Sequence, residues 1–217
     1  KCNEAGVPVV MANRAAGEGA EVVGTVTSDN EAMVQRELEY ILEKAKKDGT
    51  KYKVIKLVGS LTDANAIARD NGFNAVADEN PDVFDVVSEV ATEWKGELAL
   101  AGILSAFEEN PDINMIFSPS DALLPSIISG LQQLDKYKKV GEEGHVTLVT
   151  FDGAKDAVDA IKEGYVDVVS VQDATNQAKL CIEAAVAAVK GEEVDSMTDP
   201  GFEVTADNVD ELGFEGY

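Results

Sequence analysis

The sequence is poor in the residues that build metal sites, disulfide frameworks and nucleophilic catalysts. Its 217 residues include only two cysteines, Cys2 and Cys181, and a single histidine, His145. Neither cysteine belongs to a CxxC pair, and one histidine cannot build a His-rich metal site. None of the patterns GxGxxG, GxxxxGK[ST], GxSxG or HExxH occurs. We therefore expect no catalytic residue, no metal and no cofactor, and the composition favours a binding protein over an enzyme.

Basic residues are also scarce, with 18 Lys and Arg against 41 Asp and Glu and a formal net charge of −23. Such a surface repels phosphate backbones and anionic lipids, so we expect neither nucleic acid nor a membrane surface as a partner. No apolar run approaches the roughly 20 residues of a membrane span. The chain also does not open with a basic, then apolar, then small-residue signal segment. A mature or trimmed chain would look the same, so these absences leave the location open.

What the sequence does have is a regular alternation of strand-like and helix-like segments. The stretch HVTLVTFDG (145–153) is a nearly continuous apolar run that leads into a helical pattern, as expected of a parallel strand buried on both faces. The alternation predicts an α/β fold with parallel sheets and right-handed crossovers. The predicted strands cover residues 6–14, 21–30, 51–60, 83–92, 113–120, 145–153, 166–173 and 202–205.

The predicted strands are unevenly distributed along the chain. Five lie between Lys51 and Asp173, which is enough for one complete lobe, but only two lie before Lys51. Two strands cannot close a core, so we expect the first lobe to be incomplete and to include the long helix after residue 173. The expected division is a partial N-terminal lobe (1–49 and 174–191), a C-terminal lobe (50–173) and a C-terminal crossover and tail (192–217).

Polar side chains gather at the carboxyl ends of the predicted strands, where open parallel sheets bind ligands. Carboxylates accept from vicinal hydroxyls, arginines and amides supply directed donors, and an indole covers the C–H face of a sugar ring. The set favours a neutral, polar ligand with ring faces. N-capping alone would also explain Ser120 and Asp121, which stand just ahead of a helix. The candidate ligand-binding residues are Asn13, Arg14, Asn65, Arg69, Trp94, Ser120, Asp121, Asp152 and Gln172.

Several segments together resemble the sugar-binding proteins of bacterial ABC importers of the ribose and galactose type, the type I periplasmic binding proteins. The segments are GVPVVMANR, VTSDN, ARDNGF, NPDINMIFSPSDAL, TFDG and AIKEGYVDVVSVQDATNQAK. The resemblance implies two Rossmann-like parallel-sheet lobes that capture a monosaccharide by hinge closure, the first lobe lacking the family's opening βα units. It also implies sugar contacts from Asn13 and Arg14 in the first lobe, and from Asn65, Arg69, Trp94, Asp152 and Gln172 in the second lobe and hinge. Ser120 stands where the family usually has asparagine.

The resemblance implies a solute-binding component of an ABC sugar importer, with a small sugar as ligand and an ABC permease as partner. It also implies an extracytoplasmic location, in the periplasm or as a cell-surface lipoprotein. Apolar strands with unpaired edges favour association, so we expect a second chain or a cleaved N-terminal piece to complete the first lobe. Two alternatives stay open. One is a cytoplasmic effector domain of the LacI type, and the other is a small α/β sugar-modifying enzyme that uses Asp121 and Asp152.

Overall fold

The computed structural model describes residues 1–217, and its strands and helices alternate as the sequence predicts. The strand pairs with a defined register are all parallel, which confirms the predicted α/β class. The strands are β1 (Val10–Ala12), β2 (Gly24–Ser28), β3 (Tyr52–Val58), β4 (Phe84–Ala91), β5 (Met115–Phe117), β6 (Thr147–Asp152), β7 (Val168–Val171), β8 (Met197–Asp199) and β9 (Phe202–Thr205). The helices are α1 (Asn30–Asp48), α2 (Ala64–Ala77), α3 (Gly96–Glu109), α4 (Leu124–Gln133), α5 (Lys155–Glu163), α6 (Ala174–Lys190) and α7 (Val209–Leu212).

The chain divides into two compact units, and the larger, unit 2, comprises residues 30–171 and 203–217. Its six-stranded sheet has the order β4-β3-β5-β6-β7-β9. The five strands predicted between Lys51 and Asp173 are therefore confirmed, and β5, β6 and β7 are buried along almost their whole length. Strand β4 pairs with one edge of β3, and the next strand in the chain, β5, pairs with the opposite edge of β3. This reversal of direction is the switch point at which open α/β sheets form a crevice.

Helix α1 packs within unit 2. It buries the apolar stripe that the sequence indicates, including Met33, Leu38 and Ile41. It approaches α2 closely because Gly72 lacks a side chain, since a Cβ there would lie 2.5 Å from the Glu31 carbonyl oxygen. Residues 30–49 were predicted to belong to the first lobe because the chain was expected to cross between lobes at Gly49 and Thr50. Their contacts instead group α1 with unit 2.

Unit 1 comprises residues 1–29 and 172–202, and its sheet has only three strands in the order β1-β2-β8. Helix α6 packs on β1 and β2, which is the packing predicted for the long helix after residue 173. Strand β8 was not predicted. Strand β1 lies at an edge of the sheet, and Ile182, Val186 and Val189 on α6 are 65%, 48% and 75% exposed. Unit 1 thus has an open sheet edge and an exposed apolar helix face.

No helix in the structure combines the length and the apolar character needed to cross a bilayer.

Candidate functional site

Arg69 of α2 lies at the carboxyl edge of the unit 2 sheet, next to the switch point. Its side chain is only 4% exposed. The Nε atom donates to Asn30 Oδ1 at 2.8 Å, and Nη1 donates to the carbonyl of Pro119 at 2.5 Å. Nη1 also lies 3.1 Å from Asp152 Oδ1, and the guanidinium stands 3.9 Å from the centre of the Phe151 ring. Hydrogen bonds, an ion pair and a cation–π contact therefore fix this buried cation in one orientation.

Asp152 is the last residue of β6 and faces the solvent more than its arginine partner does. Its side chain is 32% exposed, and its Oδ2 accepts a hydrogen bond from Ser120 Oγ at 2.6 Å. Its φ of 119° lies in the left-handed region that favours glycine. Backbone of this kind costs about 1–3 kcal/mol and is typical of ligand sites. The fold therefore holds a partly accessible carboxylate in place, with Arg69 on one oxygen and Ser120 on the other.

Asp121 lies beside Asp152 but turns its carboxylate towards the turn that follows β6. It accepts hydrogen bonds from Thr150 Oγ1 at 2.7 Å, from the Gly153 amide at 2.8 Å and from the Ala154 amide at 2.7 Å. Burial, with a smaller contribution from the charge of Asp152, raises the pKa of Asp121 to about 7 against the opposing effect of the three hydrogen bonds. N-capping explains Ser120, which accepts from the Ala122 amide at 3.2 Å, but it does not explain Asp121.

Asn65 is connected to Arg69 through the side chain of Asn30. Asn65 is 6% exposed, and its Oδ1 accepts a hydrogen bond from Asn30 Nδ2 at 3.4 Å. Because Asn30 also accepts from Arg69, the side chains form one connected chain of contacts. The structure thus brings together five of the predicted residues, Asn65, Arg69, Ser120, Asp121 and Asp152.

Asn30 and Phe151 were missed as members of the cluster. The sequence indicated Asn30 only as a capping residue of α1 and Phe151 only as part of a buried strand. The place of Asn30 at the start of α1, close to the carboxyl ends of the strands, was the one available signal. The contact between Phe151 and the guanidinium left no signal in the sequence.

Trp94 follows β4, as predicted for the strand-to-helix junction. Trp94 and Glu93 have positive φ values of 59° and 50°. The half-buried indole packs over Gly59, the residue after β3, and a Cβ at that glycine would overlap the ring. The absence of a side chain at Gly59 therefore makes room for the indole at the carboxyl edge of the sheet. Its role as a platform for a sugar stays a prediction.

The three remaining predicted residues belong to unit 1. Asn13 follows β1 with a φ of 65°, and its amide donates to the carbonyl of Val26 at 2.8 Å. Arg14 is exposed. Gln172 follows β7, and its Oε1 accepts from Ser28 Oγ at 3.0 Å. All three stand at strand ends, as the sequence indicates, and their contacts with a ligand stay predictions.

A cavity of about 730 Å³ opens beside Asp152 in unit 2, within the 300–1,000 Å³ range of small-molecule sites. Its polar lining consists of three carboxylates, and its apolar lining comes from α4 and two alanines, the residues being Asp121, Asp152, Asp156, Leu124, Pro125, Ile128, Ala122 and Ala154. A second cavity of about 460 Å³ is lined by the start of β3 and its neighbours, among them Lys53, Asp85 and Asn114. It contains none of the predicted site residues. No group of three or more His, Cys, Asp or Glu side chains is arranged to hold a metal ion.

The carboxylate of Asp152, the guanidinium of Arg69 and the hydroxyl of Ser120 meet near the switch point of a parallel sheet, where open α/β folds bind small ligands. A sequence profile described as periplasmic binding protein domain matches residues 1–193, and the chain belongs to this family. It is a family of binding proteins, in keeping with the non-enzymatic role favoured by the sequence.

Among curated proteins, the chain is 30% identical over 211 residues to the xylitol-binding protein of Mycolicibacterium smegmatis, covering 94% of this chain and 56% of that protein. It is 30% identical over 196 residues to the ribose import binding protein of Escherichia coli, covering 88% and 60%. The chain therefore spans little more than half the length of these relatives.

Among solved structures, an ABC transporter periplasmic solute binding protein from Actinobacillus succinogenes with bound D-allose superposes with a TM-score of 0.84 at 21% identity. The match covers 97% of this chain and 73% of that one. A solute binding protein from Bacillus halodurans with bound myo-inositol gives a TM-score of 0.80 at 24% identity, covering 97% and 70%. These similarities confirm the predicted fold, with parallel-sheet lobes of the type I periplasmic binding protein kind.

Proposed function

We propose that this chain is the greater part of a sugar-binding receptor of an ABC importer, and that the cluster around Asp152 binds the sugar. The observation that carries the proposal is the partly exposed Asp152 carboxylate, held by Arg69 at 3.1 Å and by Ser120 at 2.6 Å at the edge of the sheet. The relatives named above, which bind xylitol and ribose, support the choice of ligand class.

The chemistry of the cluster suits a neutral polyhydroxy compound. The Asp152 carboxylate accepts hydrogen bonds from two neighbouring hydroxyls, and the guanidinium of Arg69 donates to hydroxyl oxygens. Arg69 also balances the charge of Asp152, so the site does not require a charged ligand. No bond in the sugar is made or broken in this proposal, because the cluster contains no activated nucleophile and no base aimed at a leaving group.

We further propose that an ABC permease receives the sugar and that the receptor works outside the cytoplasm, in the periplasm or as a cell-surface lipoprotein. The support is the family of periplasmic binding domains and the relative described as a ribose import binding protein. Both are properties of whole receptors and come to this chain only by similarity. A pull-down with the purified permease, with and without sugar, tests this, and equal retention of an unrelated acidic protein would contradict it.

We also propose that a further polypeptide segment, as a second chain or a cleaved N-terminal piece, adds a strand next to β1 and covers the exposed face of α6. The edge position of β1 and the exposure of Ile182, Val186 and Val189 support this. Sedimentation of the isolated chain should therefore reveal self-association, and Ile182→Glu with Val189→Glu should reduce it. A stable, well-folded monomer at all concentrations would contradict the proposal.

Isothermal titration calorimetry tests the sugar proposal directly. The panel is ribose, D-apiose, xylitol, D-allose and myo-inositol, and at least one should bind with micromolar affinity or better. Asp152→Ala should weaken that binding at least a hundredfold, because two hydrogen bonds to a charged group are lost. The matched control is Asp159→Ala, which removes a carboxylate paired with Lys155 on the surface of α5. Chromatography should recover the sugar unchanged, and a new product would favour the enzyme alternative. No binding by any sugar would contradict the proposal.

A further inference from the structure

Asp121 is buried in the site, yet its oxygens are directed at the protein itself. Oδ1 accepts from Thr150 Oγ1, and Oδ2 accepts from the amides of Gly153 and Ala154, all at 2.7–2.8 Å. A carboxylate has about four lone-pair sites, and these contacts use three of them. The main action of Asp121 is therefore on its neighbours in the protein.

The two amides that Asp121 accepts belong to a turn with unusual backbone. They follow Asp152 directly, and Asp152 and Gly153 have φ values of 119° and 94°. Gly153 adopts such a φ at little cost, but Asp152 is not a glycine, so its positive φ persists only where the surroundings hold it. Hydrogen bonds from backbone amides to a carboxylate are among the strong ones because the acceptor is charged. Asp121 thus anchors the chain immediately after the strained residue.

We propose that Asp121 is the positioning residue of the sugar site: it does not touch the ligand, but holds the turn 152–154 so that the Asp152 carboxylate meets Arg69 and Ser120 and faces the ligand. The effect on affinity rests on the function proposed above. The effect on the turn does not, because it concerns the protein without ligand.

The ionisation of Asp121 gives this role a distinctive signature. Burial raises its pKa to about 7, with the charge of Asp152 as a further cause. The other charged groups around it are Asp156, which lines the same cavity, and Arg69 and Glu37 on α2 and α1. A protonated Asp121 can donate to Thr150 through Oδ1 while Oδ2 still accepts both amides. The neutral acid is a weaker acceptor, so the anchor should loosen as the pH falls through about 7.

Nuclear magnetic resonance of the ¹⁵N-labelled chain without sugar tests the structural part. Between pH 5.5 and 8.5, the Gly153 and Ala154 amide signals should move together with a midpoint near 7. Asp121→Asn keeps the shape but is always neutral, so it should abolish this titration. Thr150→Val is the control and should keep the titration, with a higher midpoint because a hydrogen bond that lowers the pKa is gone. Amides that do not titrate in the wild type, or titrate equally in Asp121→Asn, would overturn the proposal.

Affinity measurements test the functional part with the sugar that binds most tightly. Asp121→Asn should bind about tenfold more weakly than the wild type at pH 8 and show no change with pH, whereas the wild-type affinity should fall towards the same value at pH 6. Asp121→Ala, which removes both acceptors, should be weaker still. If that variant does not fold, Asp121→Asn and the wild-type pH profile decide. Affinities of Asp121→Asn within twofold of wild type at pH 8 would overturn the proposal. If no sugar binds, the proposed function fails, while the amide titration still tests the role of Asp121.

Discussion

Replacing the buried carboxyl of Glu37 by the thioether of methionine should stabilise the protein. Glu37 is 0% exposed on α1, and neither of its carboxylate oxygens has a hydrogen-bond partner. Burial raises the pKa of Glu37 well above its usual value of 4.5, partly offset by the nearby Ser170 hydroxyl and the charge of Arg69. A buried polar group without partners costs about 1–3 kcal/mol, so Glu37→Met should raise the free energy of unfolding by about that amount at pH 8. For a chain of this size the melting temperature should rise by about 2–12 °C.

The raised pKa of Glu37 also determines how the free energy of unfolding changes with pH. Since the folded pKa lies above the unfolded value of 4.5, the folded state holds this proton more tightly than the unfolded state between the two values. The wild-type free energy of unfolding should therefore lose this contribution as the pH rises above 4.5 and through the folded pKa, by at most about 1.4 kcal/mol per pH unit. Glu37→Met lacks this slope, so its advantage should grow with pH.

Urea unfolding of Glu37→Met at pH 5, 6.5 and 8 measures both effects. Glu39→Met is the matched control, because Glu39 is exposed on the same helix and should change stability by less than about 0.5 kcal/mol. A Glu37→Met protein less stable than the wild type at pH 8 would refute the reasoning. An advantage that does not change with pH would refute the part that depends on ionisation.

Three further substitutions test other parts of unit 2. Gly153→Ala places a side chain on a residue with a φ of 94°. The free energy of unfolding measured in urea should fall by about 1–3 kcal/mol, and a fall of less than about 0.5 kcal/mol would contradict this. Burial alone would lower the pKa of His145. The hydrogen bond to Asp167 and the negative charge of Asp167 outweigh burial, so the pKa lies above 6.5. The stability gained is present below pH 6.5 and lost as the pH rises through the folded pKa. The single imidazole C2 proton signal should show the raised midpoint, and Asp167→Asn should lower it. Lys56 Nζ lies 2.8 Å from a carboxylate oxygen of Asp70 and 2.8 Å from one of Glu89. Lys56→Ala removes this cation and should lower the free energy of unfolding, measured in urea, by about 1–3 kcal/mol. An unchanged free energy of unfolding would refute a stabilising role for the two ion pairs.

The parallel sheet of unit 2 was predictable because strands buried on both faces need nearly continuous apolar runs. The β6 stretch ends in Phe151 and Asp152, and its boundaries were close to those observed. Strand β8 left no such signal, because Met197–Asp199 contains a single apolar residue and so lacks the apolar run that marks the other strands. The placement of α1 in unit 2 could not be read from the sequence either, since adjacency to β2 does not say which sheet a helix packs against.

The members of the site were more predictable than their roles. Parallel strands deliver their last residues to one edge, so Ser120, Asp121 and Asp152 could be grouped from strand ends, whereas Arg69 reaches the same edge from within α2. Which oxygen meets which donor depends on side-chain direction and on the path of the turn, and the sequence specifies neither. The sequence therefore placed Asp121 at the site without revealing that its carboxylate accepts from two backbone amides, and the side-chain amide of Asn30 was overlooked.

The most direct test of the account is to follow the ¹⁵N signals of the chain while adding the sugar of the panel that binds most tightly. The signals of the Arg69 Nε–H and of the Gly153 and Ala154 amides should shift most, and their shifts should saturate with the affinity measured by calorimetry. Shifts concentrated instead on Lys53, Asp85 and Asn114, around the second cavity, would contradict it.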